Sequence, residues 1–305
     1  MKIRKVTVIG AGAIGAYIYH CLLGKIRTEE ISFSFIASGE RKQRLETEGL
    51  NIQGEIYHPD IRTPEEAQGT DLLMVSVKYT ALQNVLDDIR TIADEHTTVL
   101  SLLNGIDSEE IIAEVVDPSQ VIPCFMRVAA QHNGRKLTWN PASAFGIYYG
   151  STCPAHDSRV TELNELFEGT ELPYHACDDI IAQQWHKYAL NISANLPQAV
   201  LNVGTGAYRD SEHAAWMRDV LAAEVLRVAE AYGVHIDHVQ YGKWKPEGRL
   251  STLQDLDQKR KTEVDMFLGV LIRKAAAVGI SVPYSEYTYH VIKALEEKNE
   301  GRFDY

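Results

Sequence analysis

The second half of the chain places a lysine and two asparagines at four-residue spacing, in Lys187, Asn191 and Asn195. The periodicity around them predicts a helix over residues 179–195, and residues four apart stack along one face of a helix. An ammonium and two amides in one row can hydrogen-bond a polar ligand. An ordinary solvated face has the same spacing, but asparagine is a poor helix former. Two of them in one row therefore suggest that their amide hydrogen bonds are needed.

A second polar group of residues follows at Ser251, Gln254 and Glu263. Ser251-x-x-Gln254 has the pattern of a capping box, which predicts that a helix opens here and continues over 253–278. On one straight helix, Ser251 and Glu263 would lie about a third of a turn apart. Both can reach one site only if Ser251 lies at or before the helix start. A capping role for Ser251 and a surface position for Glu263 are the simpler alternatives.

A glycine motif stands near the beginning of the chain. The apolar run 6–9 predicts a buried parallel strand, and residues 16–23 predict a helix. Between them, Gly10 permits a tight turn, Gly12 lets the backbone approach a pyrophosphate, and Gly15 lets the helix pack against the strand. Amides at a helix start bind phosphate. The predicted dinucleotide-binding turn comprises Gly10, Gly12, Ala13, Ile14 and Gly15.

The end of the second predicted strand, 31–37, bears on the choice of cofactor. A site specific for NAD usually places a carboxylate there to bind the ribose 2′-hydroxyl. Here Ser38 offers a hydroxyl, and Arg41 and Lys42 follow closely. A 2′-phosphate would find donors in this segment, which favours NADP over NAD, although Glu40 weakens the argument. Alternatively, Arg41 and Lys42 only begin a solvated helix over 41–48.

Two further strands end in polar residues. The strand predicted over 71–78 ends at Lys78, and the strand predicted over 97–103 is followed by Asn104-Gly105. Ligands of open parallel sheets lie beyond the carboxyl ends of the strands, which makes Lys78 and Asn104 candidate cofactor-binding residues. A surface lysine and an ordinary turn are the alternatives.

The remaining pattern predicts an α/β fold with two domains. Further strands are predicted over 121–123, 136–139, 144–149 and 172–177, and helices over 81–93 and 159–167. After residue 178 only helices are predicted, over 179–195, 216–232, 253–278 and 287–298. We therefore expect a Rossmann-type, doubly wound domain over 1–178 and an all-helical domain over 179–305.

Composition excludes several classes of protein. The 305 residues carry a net charge of −12, which argues against a nucleic-acid groove. No apolar segment approaches the ~18 residues of a membrane span. The four cysteines form no C-x-x-C pair, so neither a zinc signature nor a disulfide framework is present. The segment 1–5, with three basic residues, and the apolar residues after it imitate a secretory signal, but glycines at 10, 12 and 15 would disrupt its helix. We expect a cytoplasmic protein.

Taken together, the ordered motifs resemble those of the ketopantoate reductases (2-dehydropantoate 2-reductases) over nearly the full length of the chain. The matching segments are Gly10-x-Gly12-Ala13-x-Gly15, the strand ending at Lys78, Asn104-Gly105, Trp185-x-Lys187 with Asn191 and Asn195, Ser251-x-Leu253-Gln254-Asp255, Thr262-Glu263-Val264-Asp265, and Gly279-Ile280-x-Val282-Pro283.

The resemblance implies an NADPH-dependent reduction of ketopantoate to pantoate in pantothenate biosynthesis. By position, Lys187 matches the general acid and Glu263 an essential carboxylate. Asn191, Asn195 and Ser251 match substrate-binding residues, and Asn104 matches the place where nicotinamide and substrate meet. An ammonium stabilises the negative charge that grows on the carbonyl oxygen and can protonate it, while a nearby carboxylate keeps the ammonium charged. No metal is required.

Two departures from the family pattern concern the ligands. Ser38 stands where arginine is common, and Phe125-Met126-Arg127 stands where many members carry small residues. Bulk and a cation there could reshape the substrate pocket. The alternatives are therefore a reductase of another branched or bulkier 2-oxo acid, and a non-catalytic NADP(H) sensor, which would not need a proton donor. As partners we expect the 2-oxo acid, bound by the helical domain, and a second copy that pairs with that domain in a homodimer; neither a nucleic acid nor a membrane is expected.

Overall fold

The computed structural model describes residues 2–305, and of residues 132 and 133 only the backbone. The chain divides into two compact units, one ending at Ile180 and the other beginning at Ile181. The first unit contains the parallel sheet and the second is helical.

The strands of the first unit, in chain order, are β1 (Lys5–Ile9), β2 (Ser32–Ile36), β3 (Leu50–Ile52), β4 (Glu55–Tyr57), β5 (Asp60–Arg62), β6 (Leu72–Val75), β7 (Thr98–Ser101), β8 (Cys124–Asn133), β9 (Lys136–Tyr149) and β10 (Tyr174–Ala176). Its helices are α1 (Ala13–Cys21), α2 (Leu23–Arg27), α3 (Gly39–Glu48), α4 (Tyr79–Leu82), α5 (Leu86–Ile92), α6 (Ser108–Ile112) and α7 (Pro154–Phe167).

The main sheet is parallel throughout, in the order β5-β2-β1-β6-β7. Its central strands are apolar on both faces because both faces are covered. Val8 and Met74 belong to one buried core, and Ile9 and Val75 belong to another. The strand order reverses beside β1, where open α/β sheets bind ligands. The predicted Rossmann-type sheet is confirmed.

A second sheet joins β10, β9, β3 and β4, and β8 pairs with β9 in antiparallel register. Two strand predictions need correction here. Residues 136–139 and 144–149 form one continuous strand, β9, and the segment 121–123 contributes only an isolated bridge between Val121 and Val99. Strands β3, β4 and β5 were not predicted, because three residues of mixed polarity are too few to show a period.

The second unit consists of α8 (Ile180–Leu201), α9 (Ala207–Asp210), α10 (Glu212–Ala231), α11 (Ser251–Asp257), a π-helical segment (Asp265–Gly269), α12 (Val270–Ala277) and α13 (Pro283–Asn299). Among the residues described after 176 there is no strand, as predicted. No helix in the described part of the chain is long and apolar enough to cross a bilayer.

The single helix predicted over 253–278 is wrong. Helix α11 ends at Asp257, Lys259 adopts a left-handed φ of +52°, and helical structure resumes only in the π-helical segment. A left-handed residue just beyond the last turn is a common way for a helix to end. The backbone N–H of Arg260 and its guanidinium both bond back to Asp255, on the main-chain and side-chain oxygens. This closes the turn.

Candidate active site

The glycine turn after β1 is held by close backbone packing. Gly10 has φ +114°, and a Cβ on it would lie 2.6 Å from the carbonyl oxygen of Ser76. A Cβ on Gly15 would lie 2.2 Å from the carbonyl oxygen of Gly10 and 3.1 Å from Phe35. No residue with a Cβ fits either position without moving the backbone, because real Cβ atoms do not approach carbonyl oxygens so closely.

Gly12 differs from its two neighbours. No described atom lies within 4 Å of the position that a Cβ would take there, although Gly12 caps the N-terminus of α1 without any side-chain hydrogen bond. The space next to Gly12, at the start of α1, is therefore open. Amides at a helix start favour phosphate, so this cradle fits the pyrophosphate of a dinucleotide.

Ser76 is a residue of this turn that sequence reasoning missed. Its hydroxyl donates a hydrogen bond of 2.7 Å to the carbonyl oxygen of Gly10, and its backbone N–H donates to Ile9. Its Oγ also lies 3.0 Å from the Cβ position of Gly15. The available signal was a hydroxyl residue directly after the apolar run 72–75. Ser76 ties the end of β6 to the glycine turn.

The end of β2 carries the residues that bear on NADP. Ser38 is exposed at the N-cap of α3, and its side chain makes no capping bond. Lys42 forms an ion pair of 2.5 Å with Glu66, so it is partly neutralised. Arg41 is exposed and forms no ion pair with any residue that the structure describes. The Ser38 hydroxyl and the Arg41 guanidinium are thus exposed just after the end of β2.

Lys78 and Asn104 lie on neighbouring loops at the carboxyl ends of β6 and β7. Lys78 is exposed at the N-cap of α4, and Asn104 is half-buried before Gly105, whose φ is +95°. Tyr79 donates a hydrogen bond of 2.6 Å to the buried carboxylate of Asp107, which joins the two loops. Nothing in the sequence distinguished Asp107 from other acidic residues, so this link was missed.

The bulky segment 125–127 contributes to an aromatic layer on β8 and β9. The Phe125 and Tyr148 rings stack with centroids 4.9 Å apart and planes 5° apart. The Arg127 guanidinium lies over Phe145 and Tyr148, at 5.2 and 5.7 Å from the ring centroids. The guanidinium is therefore held by cation–π contacts.

In the second unit, α8 carries Lys187, Asn191 and Asn195 on one row. Lys187 and Asn191 are half-buried, and Asn195 is only 6 % exposed. Another side of the helix is anchored, since the hydroxyl of the buried Tyr188 donates to the carbonyl oxygen of Phe267. The row is thus not an ordinary solvated face.

Asn195 and Ser251 meet, although 56 residues separate them. The Asn195 amide nitrogen donates a 3.1 Å hydrogen bond to the Ser251 hydroxyl oxygen. The capping box predicted for Ser251 is wrong. Ser251 is the first residue of α11, the N-cap is Leu250, and Gln254 instead donates to the carbonyl oxygen of Arg249. The side chain of Ser251 is directed to α8 rather than to its own helix.

Gln198 holds the segment before Ser251 against α8. It is fully buried, its amide nitrogen donates to the carbonyl oxygen of Gly248 at 2.8 Å, and its amide oxygen accepts from the N–H of Leu250 at 2.7 Å. Sequence reasoning missed this residue. The signal was present, since Gln198 stands three residues after Asn195 and continues the polar row along the helix.

Glu263 is half-buried in the irregular segment between α11 and α12. The residue before it, Thr262, donates from its backbone N–H and its hydroxyl to Glu296 of α13, at 2.7 and 2.6 Å. Two residues after it, Asp265 accepts from Tyr289 at 2.7 Å and from Lys293 at 3.1 Å. Both sides of Glu263 are therefore tied to α13. Among the described residues, no group of three or more His, Cys, Asp and Glu is placed to hold a metal ion.

Comparison with known proteins identifies the family. The profile "Ketopantoate reductase PanE/ApbA" matches residues 6–150, and "Ketopantoate reductase PanE/ApbA C terminal" matches residues 179–296. The 2-dehydropantoate 2-reductase of Pyrococcus horikoshii is 25 % identical over 97 % of this chain and 99 % of its own.

Two solved structures are similar over the same extent. A PanE/ApbA family ketopantoate reductase from Ralstonia eutropha is 25 % identical, with a TM-score of 0.81, and covers 97 % of this chain and 99 % of its own. A D-mandelate dehydrogenase solved with NADH and anilino(oxo)acetate is 22 % identical, with a TM-score of 0.82 and the same coverage. The profile matches span both units and confirm the resemblance of the motifs; the chain belongs to the ketopantoate reductase family and is an oxidoreductase.

Proposed function

We propose that this chain reduces 2-dehydropantoate (ketopantoate) to pantoate with NADPH, with Lys187 as the general acid. The observation that carries the proposal is the hydrogen bond between Asn195 and Ser251. It joins two residues that the resemblance assigns to substrate binding, and one of them lies on the same helix row as Lys187.

Each group has a distinct task in the reduction. NADPH, when bound, supplies the hydride for the 2-oxo carbon. The Lys187 ammonium stabilises the negative charge on the substrate oxygen and protonates it, and the Glu263 carboxylate keeps that ammonium charged. Asn191, together with the Asn195–Ser251 pair, hydrogen-bonds the polar groups of the substrate without adding charge.

The first unit is proposed to bind the cofactor. The open space at Gly12 accommodates the pyrophosphate at the start of α1, and Lys78 and Asn104 bind the nicotinamide half of the cofactor. Preference for NADP over NAD is supported by the exposed Ser38 and Arg41. It is limited by Lys42, which is paired with Glu66. The second unit is proposed to bind the 2-oxo acid and to pair with a second copy in a homodimer.

A second candidate function is the reduction of a bulkier 2-oxo acid by the same machinery. The observation that favours it is the layer that Phe125 and Arg127, which stand where small residues are common in the family, form with Tyr148. An aromatic layer with a cation suits a larger or aromatic 2-oxo acid better than a small aliphatic one.

An assay of cofactor oxidation across a panel of 2-oxo acids tests these functions. Each reaction contains the purified chain, NADPH and one 2-oxo acid, which is ketopantoate, 2-oxoisovalerate, phenylpyruvate or benzoylformate. The series is then repeated with NADH in place of NADPH. The proposal expects the highest kcat/KM for ketopantoate with NADPH. Preference for the aryl acids would select the second candidate, and tight NADPH binding without any turnover would indicate a sensor.

A further inference from the structure

The helical unit contains a cavity of about 370 Å³ that includes none of the residues proposed for the reduction. Three cationic side chains line it, from Arg209, Arg218 and Lys243. No carboxylate is found among the described residues that line it, although the whole chain carries a net charge of −12. Such a local excess of positive charge attracts anions.

Three aromatic rings also form part of the wall. Tyr208, Tyr241 and Trp244 line the cavity, and the ring centroids of Tyr241 and Trp244 lie 6.4 Å apart. The Arg218 guanidinium lies 4.4 Å from the Tyr241 centroid and 5.5 Å from that of Tyr208. These cation–π contacts hold Arg218 in a fixed orientation, and only 21 % of its side chain is exposed.

Two of the cations already have carboxylate partners, which do not line the cavity. Arg209 pairs with Asp210 and Arg218 pairs with Asp219, at 2.6 and 2.8 Å. Both carboxylates are more than half exposed, and exposed ion pairs contribute little free energy. An anion in the cavity can therefore compete for the guanidinium groups.

We propose that this cavity binds a small organic anion that carries a planar ring. Its ring would pack against Tyr241 and Trp244, and its phosphate or carboxylate would pair with Arg218, Arg209 and Lys243. The volume lies within the range of small-molecule sites, and arginine is suited to bidentate binding of such oxyanions.

The walls of the cavity are bonded to α8. The Tyr241 hydroxyl donates to Ser193 Oγ at 3.0 Å, and the Tyr208 hydroxyl donates to the carbonyl oxygen of Ala194 at 2.6 Å. Both acceptors lie between Asn191 and Asn195 in the chain. An occupant that shifts either ring therefore acts on the turn that presents both asparagines, and this kinetic consequence rests on the proposed function.

Phenyl phosphate is the probe, titrated into the full-length protein without cofactor or 2-oxo acid and followed by calorimetry and tryptophan fluorescence. We expect saturable binding that weakens at least about tenfold in Arg218→Gln and in Lys243→Ala. Arg227→Gln, on the same helix as Arg218 but outside the cavity, leaves the affinity unchanged. Trp244→Phe removes the fluorescence response.

Three results overturn the proposal. They are an absence of saturable binding by the wild-type protein, binding that survives both cavity substitutions, and inorganic phosphate binding as tightly as phenyl phosphate. Lys243 is exposed, so its variant remains informative if Arg218→Gln fails to fold. For the link to α8, phenyl phosphate should change the KM for the 2-oxo acid in the wild type and not in Tyr241→Phe. Because binding is measured without substrate, failure of the proposed reaction leaves the binding result intact.

Discussion

The glycine turn of the first unit and the polar row of the second unit obtain their geometry in different ways. The turn is made of backbone within residues 6–15, and Ser76 supports it from a distant part of the chain. The row on α8 is completed by side chains from far along the chain, since Asn195 bonds Ser251 and Gln198 bonds the segment 248–250.

The difference determines how each site responds to substitution. In the glycine turn, an added Cβ meets a carbonyl oxygen at Gly10 and Gly15 but open space at Gly12, so structure and ligand access can be altered separately. On α8, Asn195 and Gln198 each share hydrogen bonds with another segment. A substitution there changes both local order and ligand binding, and the two must be separated by kinetics.

The largest expected effect comes from Lys187→Ala. Removal of the proposed proton donor should lower kcat by roughly 10²–10⁴-fold, while the affinity for NADPH changes little because the glycine turn is untouched. Steady-state kinetics and a fluorescence titration of NADPH give the two quantities. Lys298→Ala, an exposed lysine on α13, is the matched control. Turnover equal to that of the control would remove Lys187 from the role of acid.

The next effect concerns two glycines of the turn, Gly12 and Gly10. Gly12→Ala should weaken NADPH binding by roughly 10- to 100-fold, because the new methyl group occupies the space proposed for the pyrophosphate. Its free energy of unfolding should change by less than about 1 kcal/mol, as expected for Gly to Ala at an N-cap. Gly10→Ala, with φ +114° and a Cβ 2.6 Å from Ser76 O, should instead lose about 3 kcal/mol or more.

Urea unfolding and calorimetric titration of NADPH distinguish the two glycine variants. Normal NADPH affinity in Gly12→Ala would show that the phosphates do not approach this turn. It would also contradict the proposal that Gly12 serves ligand access while Gly10 and Gly15 serve packing.

The glycine turn could be predicted because its requirements are local. A positive φ at Gly10 and the close approach of α1 at Gly15 each exclude a side chain. Glycine at these positions therefore indicates the geometry of the turn. The buried strands β1 and β6 were predictable for a similar reason, since their apolar runs reflect burial on both faces.

The second unit was predicted incorrectly where hydrogen bonds to distant residues take the place of local hydrogen bonds. The expected helix over 253–278 is interrupted over 258–263, where the N–H of Thr262 donates to Glu296, 34 residues further on. The expected capping box does not form because the Ser251 hydroxyl accepts a hydrogen bond from Asn195 instead. Neither partner can be identified from spacing along the sequence. The position of Glu263 therefore depends on tertiary contacts.

Thr262→Val tests that dependence. The change keeps the shape but removes the hydroxyl that donates to Glu296 at 2.6 Å and accepts from the N–H of Val264 at 3.2 Å. We expect a loss of about 1–3 kcal/mol in the free energy of unfolding. We also expect a fall of roughly tenfold in kcat, because Glu263 shifts relative to the substrate. Thr288→Val, similarly buried on α13, controls for the loss of a buried hydroxyl.

A stability loss without a change in kcat would mean that Glu263 holds its position independently of Glu296. An equal fall in kcat for Thr288→Val would mean that the effect is not specific to the segment before Glu263.

The smallest expected effect is a pH dependence that belongs to the first unit. His156 of α7 is 5 % exposed, and its Nδ1 accepts from the N–H of Thr152 at 3.3 Å. Burial lowers the pKa of His156 below its ordinary value, with a contribution from the nearby Arg159. As the pH falls, the unfolded chain therefore binds a proton on His156 before the folded chain does. The contribution of His156 to the free energy of unfolding is complete above the ordinary histidine pKa of about 6.5 and is lost as the pH falls below it.

Urea unfolding at a series of pH values from neutral to mildly acidic measures this loss, which is at most about 1.4 kcal/mol per pH unit for one group. The His156→Gln variant should show a shallower decline, because glutamine does not titrate. Its difference from the wild type isolates His156 from the other histidines. An identical slope in both proteins would mean that the folded state protonates His156 as readily as the unfolded chain does. The acid sensitivity would then arise from other titrating groups.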